Sequence, residues 1–141
     1  RRYFKRVKVG SEVTLVPLAV GGKGATLAVG DEVEVQISLR AKAAAEYVHL
    51  RDPRPAGLEP DRPESGWKWD LGISRYEETR DSGANFFFEN LPAGEYTFKY
   101  RLRANLAGEF RAGPAQVQSI YAPEFVAYSA GERLRIDAAP R

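Results

Sequence analysis

Between Phe86 and Arg103 the chain reads FFFENLPAGEYTFKYRLR, and the second half of this stretch alternates without a break. Tyr96, Phe98, Tyr100 and Leu102 take one side; Thr97, Lys99, Arg101 and Arg103 take the other. Successive side chains of an extended chain point to opposite faces. A period of two therefore specifies a strand with one dry face and one wet face. The preceding run from Leu91 to Tyr96, LPAGEY, has the layout of a tyrosine corner, in which the phenol bonds back to backbone just upstream. This stretch sets the fold class and names no function.

A second amphipathic strand follows the turn at Gly30 and Asp31. Val33, Val35, Ile37 and Leu39 alternate there with Glu34, Gln36, Ser38 and Arg40. Arg1 to Val9 carries five basic residues and reads as an edge strand, because Lys and Arg on an edge discourage further pairing. Glu12 to Val20 is interrupted by Pro17, which marks an edge or a strand end. Gly21, Gly22 and Gly24 read as a loop. A phosphate cradle would instead open a helix, with Lys and Ser or Thr at set spacing.

Ala41 to Ala45 offers at most a helical turn before Glu46 to Leu50 resumes the strand pattern. Arg51 to Gly66 holds Pro53, Pro55, Pro60 and Pro63, and is expected to be a long, extended Pro-rich loop. Loops of that length tend to be functional or to wrap an edge. Glu77–Arg80, Asn85–Glu89, Glu109–Arg111, Gln116–Ile120 and Glu132–Asp137 read as further short strands separated by turn residues. With no long helical period and no internal repeat, the pattern predicts an all-β chain, an antiparallel β-sandwich of the Ig-like kind.

The 141 residues suit a single domain that buries about 68% of its unfolded surface. Lys and Arg total 21 against 19 acidic residues, a formal charge of +2 that exerts no strong pull on nucleic acid or anionic lipid. No apolar run approaches the roughly 18 residues of a membrane span, and no signal-peptide pattern opens the chain. The absence of Cys excludes disulfides, thiolate metal sites and a thiol nucleophile. The absence of Met predicts a piece of a longer chain.

Little here points to chemistry. His49 is the only histidine, with no second imidazole for a metal and no local serine motif, so it reads as a structural or surface residue. Glu77, Glu78 and Asp81 match no calcium loop, have Arg75 and Arg80 among them, and read as solvated charges. No catalytic residue, cofactor or metal is expected. Trp67 and Trp69 either stack a sugar ring or lid one end of the core, with the lid preferred. Phe87 faces away from Phe86 and Phe88, toward a neighbouring domain or the Pro-rich loop. The segment from Tyr121 to Phe125, with Pro123 and Glu124, holds more aromatic surface than a plain turn requires and is a candidate contact.

Several segments taken together resemble the C-terminal domain of bacterial alpha-2-macroglobulin-like proteins. They are Tyr47–Asp52 running into Pro55–Pro60, Asn85–Gly94, Tyr96–Leu102, Ile120–Phe125 and Ser129–Gly131. The resemblance runs in order over residues 27–137, with residues 1–26 as entering strands and a Gly-rich loop. It implies a macroglobulin-type β-sandwich in a large protein of the periplasm or cell envelope, akin to protease-trapping inhibitors. On that footing the partners are neighbouring domains of the parent chain, and proteases through the whole protein. Membrane proximity would come through the parent alone. In the thioester-bearing branch this domain looks like a shield over the thioester, and by position Tyr121 matches the tyrosine of the shielding loop. A carbohydrate-binding sandwich using Trp67 and Trp69 is the alternative.

Overall fold

The computed structural model describes residues 1–18, 26–61, 65–122 and 126–139. Its strands, in chain order, begin with β1 (Arg2–Val9), β2 (Glu12–Pro17), β3 (Leu27–Ala28), β4 (Glu32–Ala41) and β5 (Ala45–Pro53). Next come β6 (Leu58–Pro60), β7 (Ser65–Asp70), β8 (Ile73–Arg80), β9 (Gly83–Leu91) and β10 (Gly94–Ala104). The last are β11 (Gly108–Ala112), β12 (Gln116–Ser119), β13 (Val126–Tyr128) and β14 (Glu132–Asp137).

One sheet has five strands in the order β2-β1-β4-β10-β6, and the other has six in the order β13-β12-β5-β9-β8-β7. The two alternating strands read from the sequence, β4 and β10, pair antiparallel side by side, with Phe98 opposite Ile37 and Tyr100 opposite Val35. Their dry faces meet those of β5 and β9. Phe86 and Phe88 are buried, with ring centroids 5.5 and 5.3 Å from Phe98. The expected antiparallel sandwich is therefore present. A small third sheet, β11-β14-β3, closes one end and contains a parallel pair, β14 with β3.

The tyrosine corner is formed: Tyr96 Oη donates to the Pro92 carbonyl at 2.7 Å. On the wet face of β10, Arg103 reaches Glu32 and Asp61, each at 2.9 Å.

Some expectations are corrected. β1 is not an edge, since β2 pairs on one side of it and β4 on the other. Its cations are matched by acids on and beside β4, Lys5 with Asp31 at 3.3 Å and Arg6 with Glu32 at 3.4 Å. β2 is the edge, in keeping with Pro17. The stretch from Arg51 to Gly66 is more regular than its prolines implied. β5 runs through to Pro53, β6 pairs with β10, and β7 begins at Ser65. Pro53 sits at a strand end and Pro60 on an edge strand, where a missing N–H leaves no ladder bond broken. Residues 42–44 bend without a helical turn. The glycines from Gly21 to Gly24 lie outside the described residues.

Among the described residues one carboxylate is buried in the core. Val48, Leu50 and Asp52 share the inward parity of β5, and Asp52 is fully buried. Arg1 Nη1 donates to Asp52 Oδ1 at 2.5 Å, and the Tyr100 hydroxyl donates to Oδ2. Arg1 Nη2 also donates to the carbonyls of Ala112, at 3.4 Å, and Ala130, at 3.2 Å. Gly83 makes this end of β5 possible. Its φ is +147°, and a Cβ there would stand 2.2 Å from the Asp52 carbonyl oxygen.

Candidate docking site

The described residues among those singled out for contact lie on, or at the edges of, the outer face of the six-stranded sheet. Cross-strand register puts Trp67 opposite Tyr76, Tyr76 opposite Phe87, and Phe87 opposite His49. Directly opposed residues share a face, so these rings make a row across four strands. Centroid separations along it are 5.5, 6.4 and 4.5 Å.

His49 lies flat on Phe87, with 5° between the ring planes, and its Nε2 is 2.8 Å from Asn85 Oδ1. One face of the ring is thus covered by packing and one ring nitrogen is engaged by a side-chain amide. Phe87 is half-buried beside His49 and Tyr76, so among the described residues its ring contacts come from its own sheet.

Trp67 and Trp69 lid nothing. They stand 65% and 75% exposed on the outermost strand β7, which runs along the side of the sandwich and not over its end. The acidic pair nearby is not simply solvated. Glu77 accepts from Arg75 Nε at 2.7 Å and meets Lys68 at 2.8 Å. The Arg75 guanidinium also bonds Asp70 and lies 5.1 Å from the centroid of Phe98. The Arg75 hydrogen bond holds the Asp70 carboxyl below its ordinary range, against a small opposing effect of burial. Among the described residues no cluster of three or more His, Cys, Asp or Glu could hold a metal ion. No helix there is long and apolar enough to cross a membrane.

Tyr121 stands at the opposite side of this sheet, beyond β12, and is 77% exposed. Its ring meets Tyr47 edge to face, with centroids 5.1 Å apart and planes at 88°. Tyr47 holds φ +52°, an uncommon conformation for a bulky residue, and its carbonyl accepts from the Ile120 N–H at 2.8 Å. The conformation at Tyr47 therefore places both the ring against Tyr121 and the carbonyl that holds the backbone leading to it. Sequence reasoning missed Tyr47 as a brace, because no local motif announces a tyrosine with positive φ. Pro123, Glu124 and Phe125 lie outside the described residues. The structure therefore does not bring the two groups together: Trp67 and Trp69 sit at one edge, Tyr121 near the other.

Comparison with known proteins accounts for this architecture. The family described as the bacterial alpha-2-macroglobulin MG10 domain matches residues 1–124. Among solved structures, Salmonella alpha-2-macroglobulin reacted with methylamine superposes with a TM-score of 0.65 at 21% identity, covering 85% of this chain and 9% of that one. Escherichia coli alpha-2-macroglobulin activated by porcine elastase gives 0.66 at 22% identity, over 85% and 12%. The native E. coli protein from domain MG7 to its C-terminus gives 0.65 at 20% identity, over 85% and 22%. This chain thus spans between about a tenth and a fifth of the chains it superposes on. No curated protein matches. With its first 124 residues inside the family match, the chain belongs to the bacterial alpha-2-macroglobulin MG10 domain family.

Proposed function

We propose that this chain is a non-catalytic docking domain of a larger alpha-2-macroglobulin-like protein of the periplasm or cell envelope, of the protease-trap type. Tyr121 would be its principal contact, pressed against a neighbouring domain of the same parent. The observation that carries this reading is the Tyr47–Tyr121 pair. An aromatic ring left 77% exposed would ordinarily move freely, yet this one is braced by a second ring whose own backbone is strained. A rigid phenol with one hydroxyl suits a contact surface, because little conformational freedom is lost on docking. The E. coli relative is described as activated by elastase, which supports the link to proteases through the whole protein.

The test uses the parent protein and this domain side by side. Tyr121→Ala should change the stability of the isolated domain by no more than about 0.5 kcal/mol. In the intact parent it should raise hydrogen exchange at the surface that Tyr121 covers. Loss of several kcal/mol in the isolated domain would make Tyr121 a core residue and sink the proposal. Nothing in the comparisons favours the sugar-binding alternative, and a sugar titration followed by indole fluorescence separates the two.

A further inference from the structure

The five-stranded sheet leaves one strand position empty. β4 lines one side of β10 from Gly94 to Arg103, whereas β6 lines the other only from Leu102 to Ala104. In an antiparallel ladder every second residue aims its N–H and C=O at the same side. The Arg101 carbonyl accepts from the Asp61 N–H at 3.4 Å, on the β6 side. Thr97 and Lys99 therefore aim their backbone groups that way too, and among the described residues no strand receives them.

The facing sheet roofs this position. The β7–β8 hairpin lies across from the edge of β10, with Gly66 opposite Glu77 and Lys68 opposite Arg75. Between them runs a groove of about 510 Å³, bounded by Gly66, Lys68 and Glu77 on the hairpin and by Lys99, Tyr100 and Arg101 on β10. Gly66 keeps it open, since a Cβ there would meet nothing within 4 Å. The charge is one-sided. Glu77 is committed to Arg75 and Lys68. Lys99 and Arg101 stand two residues apart on the wet face of β10, and among the described residues neither has an ion-pair partner.

We propose that an extended, acidic segment from elsewhere in the parent chain fills this position as an added strand beside β10. In strand addition the main-chain hydrogen bonds bind and the alternate side chains select. Carboxylates at positions i and i+2 of the added strand would stand against Lys99 and Arg101, and opposite charges across strands attract. The residue between them would turn inward, into the space beside Gly66. This chain spans 9% and 22% of two of the proteins it superposes on, so most of such a parent lies outside it. Tethering within one chain raises the effective concentration to about the mM range, which suits a contact made by a few backbone bonds and two ion pairs. The inference rests on the reading of this chain as one domain of a longer protein, and is independent of the role given to Tyr121.

Hydrogen exchange across Thr97 and Lys99 tests it, in the 141-residue chain and in the intact parent. Both amides should exchange more slowly in the parent, by about tenfold or more. A decapeptide alternating Glu and Thr, added to the 141-residue chain, should slow them as well. Its Lys–Thr counterpart should bind about tenfold more weakly, because two cross-strand attractions become repulsions. Gly66→Phe, which fills the groove, and Lys99→Glu, which reverses its charge, should each remove the protection in the parent. Circular dichroism confirms that each variant is folded. Equal rates in the chain and the parent, protection that survives both variants, or no difference between the two peptides overturns the proposal. Peptide binding without protection in the parent would assign the groove to a separate protein and overturn the tethered source. None of these outcomes bears on Tyr121→Ala, which is read at the other side of the six-stranded sheet.

Discussion

Arg1 Nη1 lies 2.5 Å from Asp52 Oδ1, with both side chains withdrawn from water. The Tyr100 hydroxyl takes the other carboxylate oxygen, and the same guanidinium reaches the Ala112 carbonyl. Asp52 belongs to the six-stranded sheet, Tyr100 to the five-stranded sheet and Ala112 to the small third sheet. One ion pair thus ties all three sheets together at one end of the sandwich.

Removing the carboxylate should be far more damaging than removing a surface acid. Asp52→Ala leaves a guanidinium buried without its counter-charge, a change that costs about 3–5 kcal/mol. Tyr100→Phe, which removes one hydrogen bond to the carboxylate, should cost about 1.5–3 kcal/mol. Urea unfolding of the two variants against the unaltered chain measures both. A loss below about 1 kcal/mol for Asp52→Ala would mean that water already reaches Arg1.

The same cluster predicts an alkaline limit. Burial pushes the Tyr100 hydroxyl well above the ordinary tyrosine value of 10.0, and the Asp52 charge adds to the effect. Burial likewise raises Tyr3. When the folded pKa exceeds the unfolded one, the contribution is complete below the unfolded value and is lost as pH rises above it. Stability should therefore be flat in this respect up to about pH 10 and fall beyond it. Thermal melts from pH 8 to 12 should show this fall, and Tyr100→Phe should make it shallower.

Gly83→Ala should be among the most destabilising single-methyl changes in the chain. The new Cβ would meet the Asp52 carbonyl oxygen at 2.2 Å on a backbone with φ +147°. Neither β5 nor β9 has room to yield without breaking their pairing around Asp52 and Ala84. A loss of about 2–4 kcal/mol is expected, read from the denaturation midpoint.

Leu71→Asn should do the opposite. Leu71 is exposed and holds φ +55° in the β7–β8 turn, where a left-handed backbone costs a leucine about 1–2 kcal/mol. Asparagine ahead of Gly72 is the favoured pair for such a turn. A rise in stability of roughly 0.5–1.5 kcal/mol is expected. An unchanged or lower melting temperature would show that Leu71 makes contacts in the free chain that offset its strain.

The sequence by itself determined the faces of the strands. Val33, Val35 and Ile37 on β4, and Phe98 and Leu102 on β10, are all buried, as their spacing requires. The Tyr96 bond to Pro92 spans four residues and was equally legible. Even Asp52 carried a local signal, since it continues the inward parity of Val48 and Leu50.

Tertiary structure alone decided which elements meet. Asp52 finds its partners 51 residues upstream and 48 residues downstream, a choice that no local period encodes. The interior place of β1, the exposure of Trp67 and Trp69, and the brace of Tyr47 under Tyr121 have the same origin. Side-chain parity is a property of one extended segment. Sheet order and edge position depend instead on pairing between distant segments, which is settled by how the whole set of apolar faces is buried.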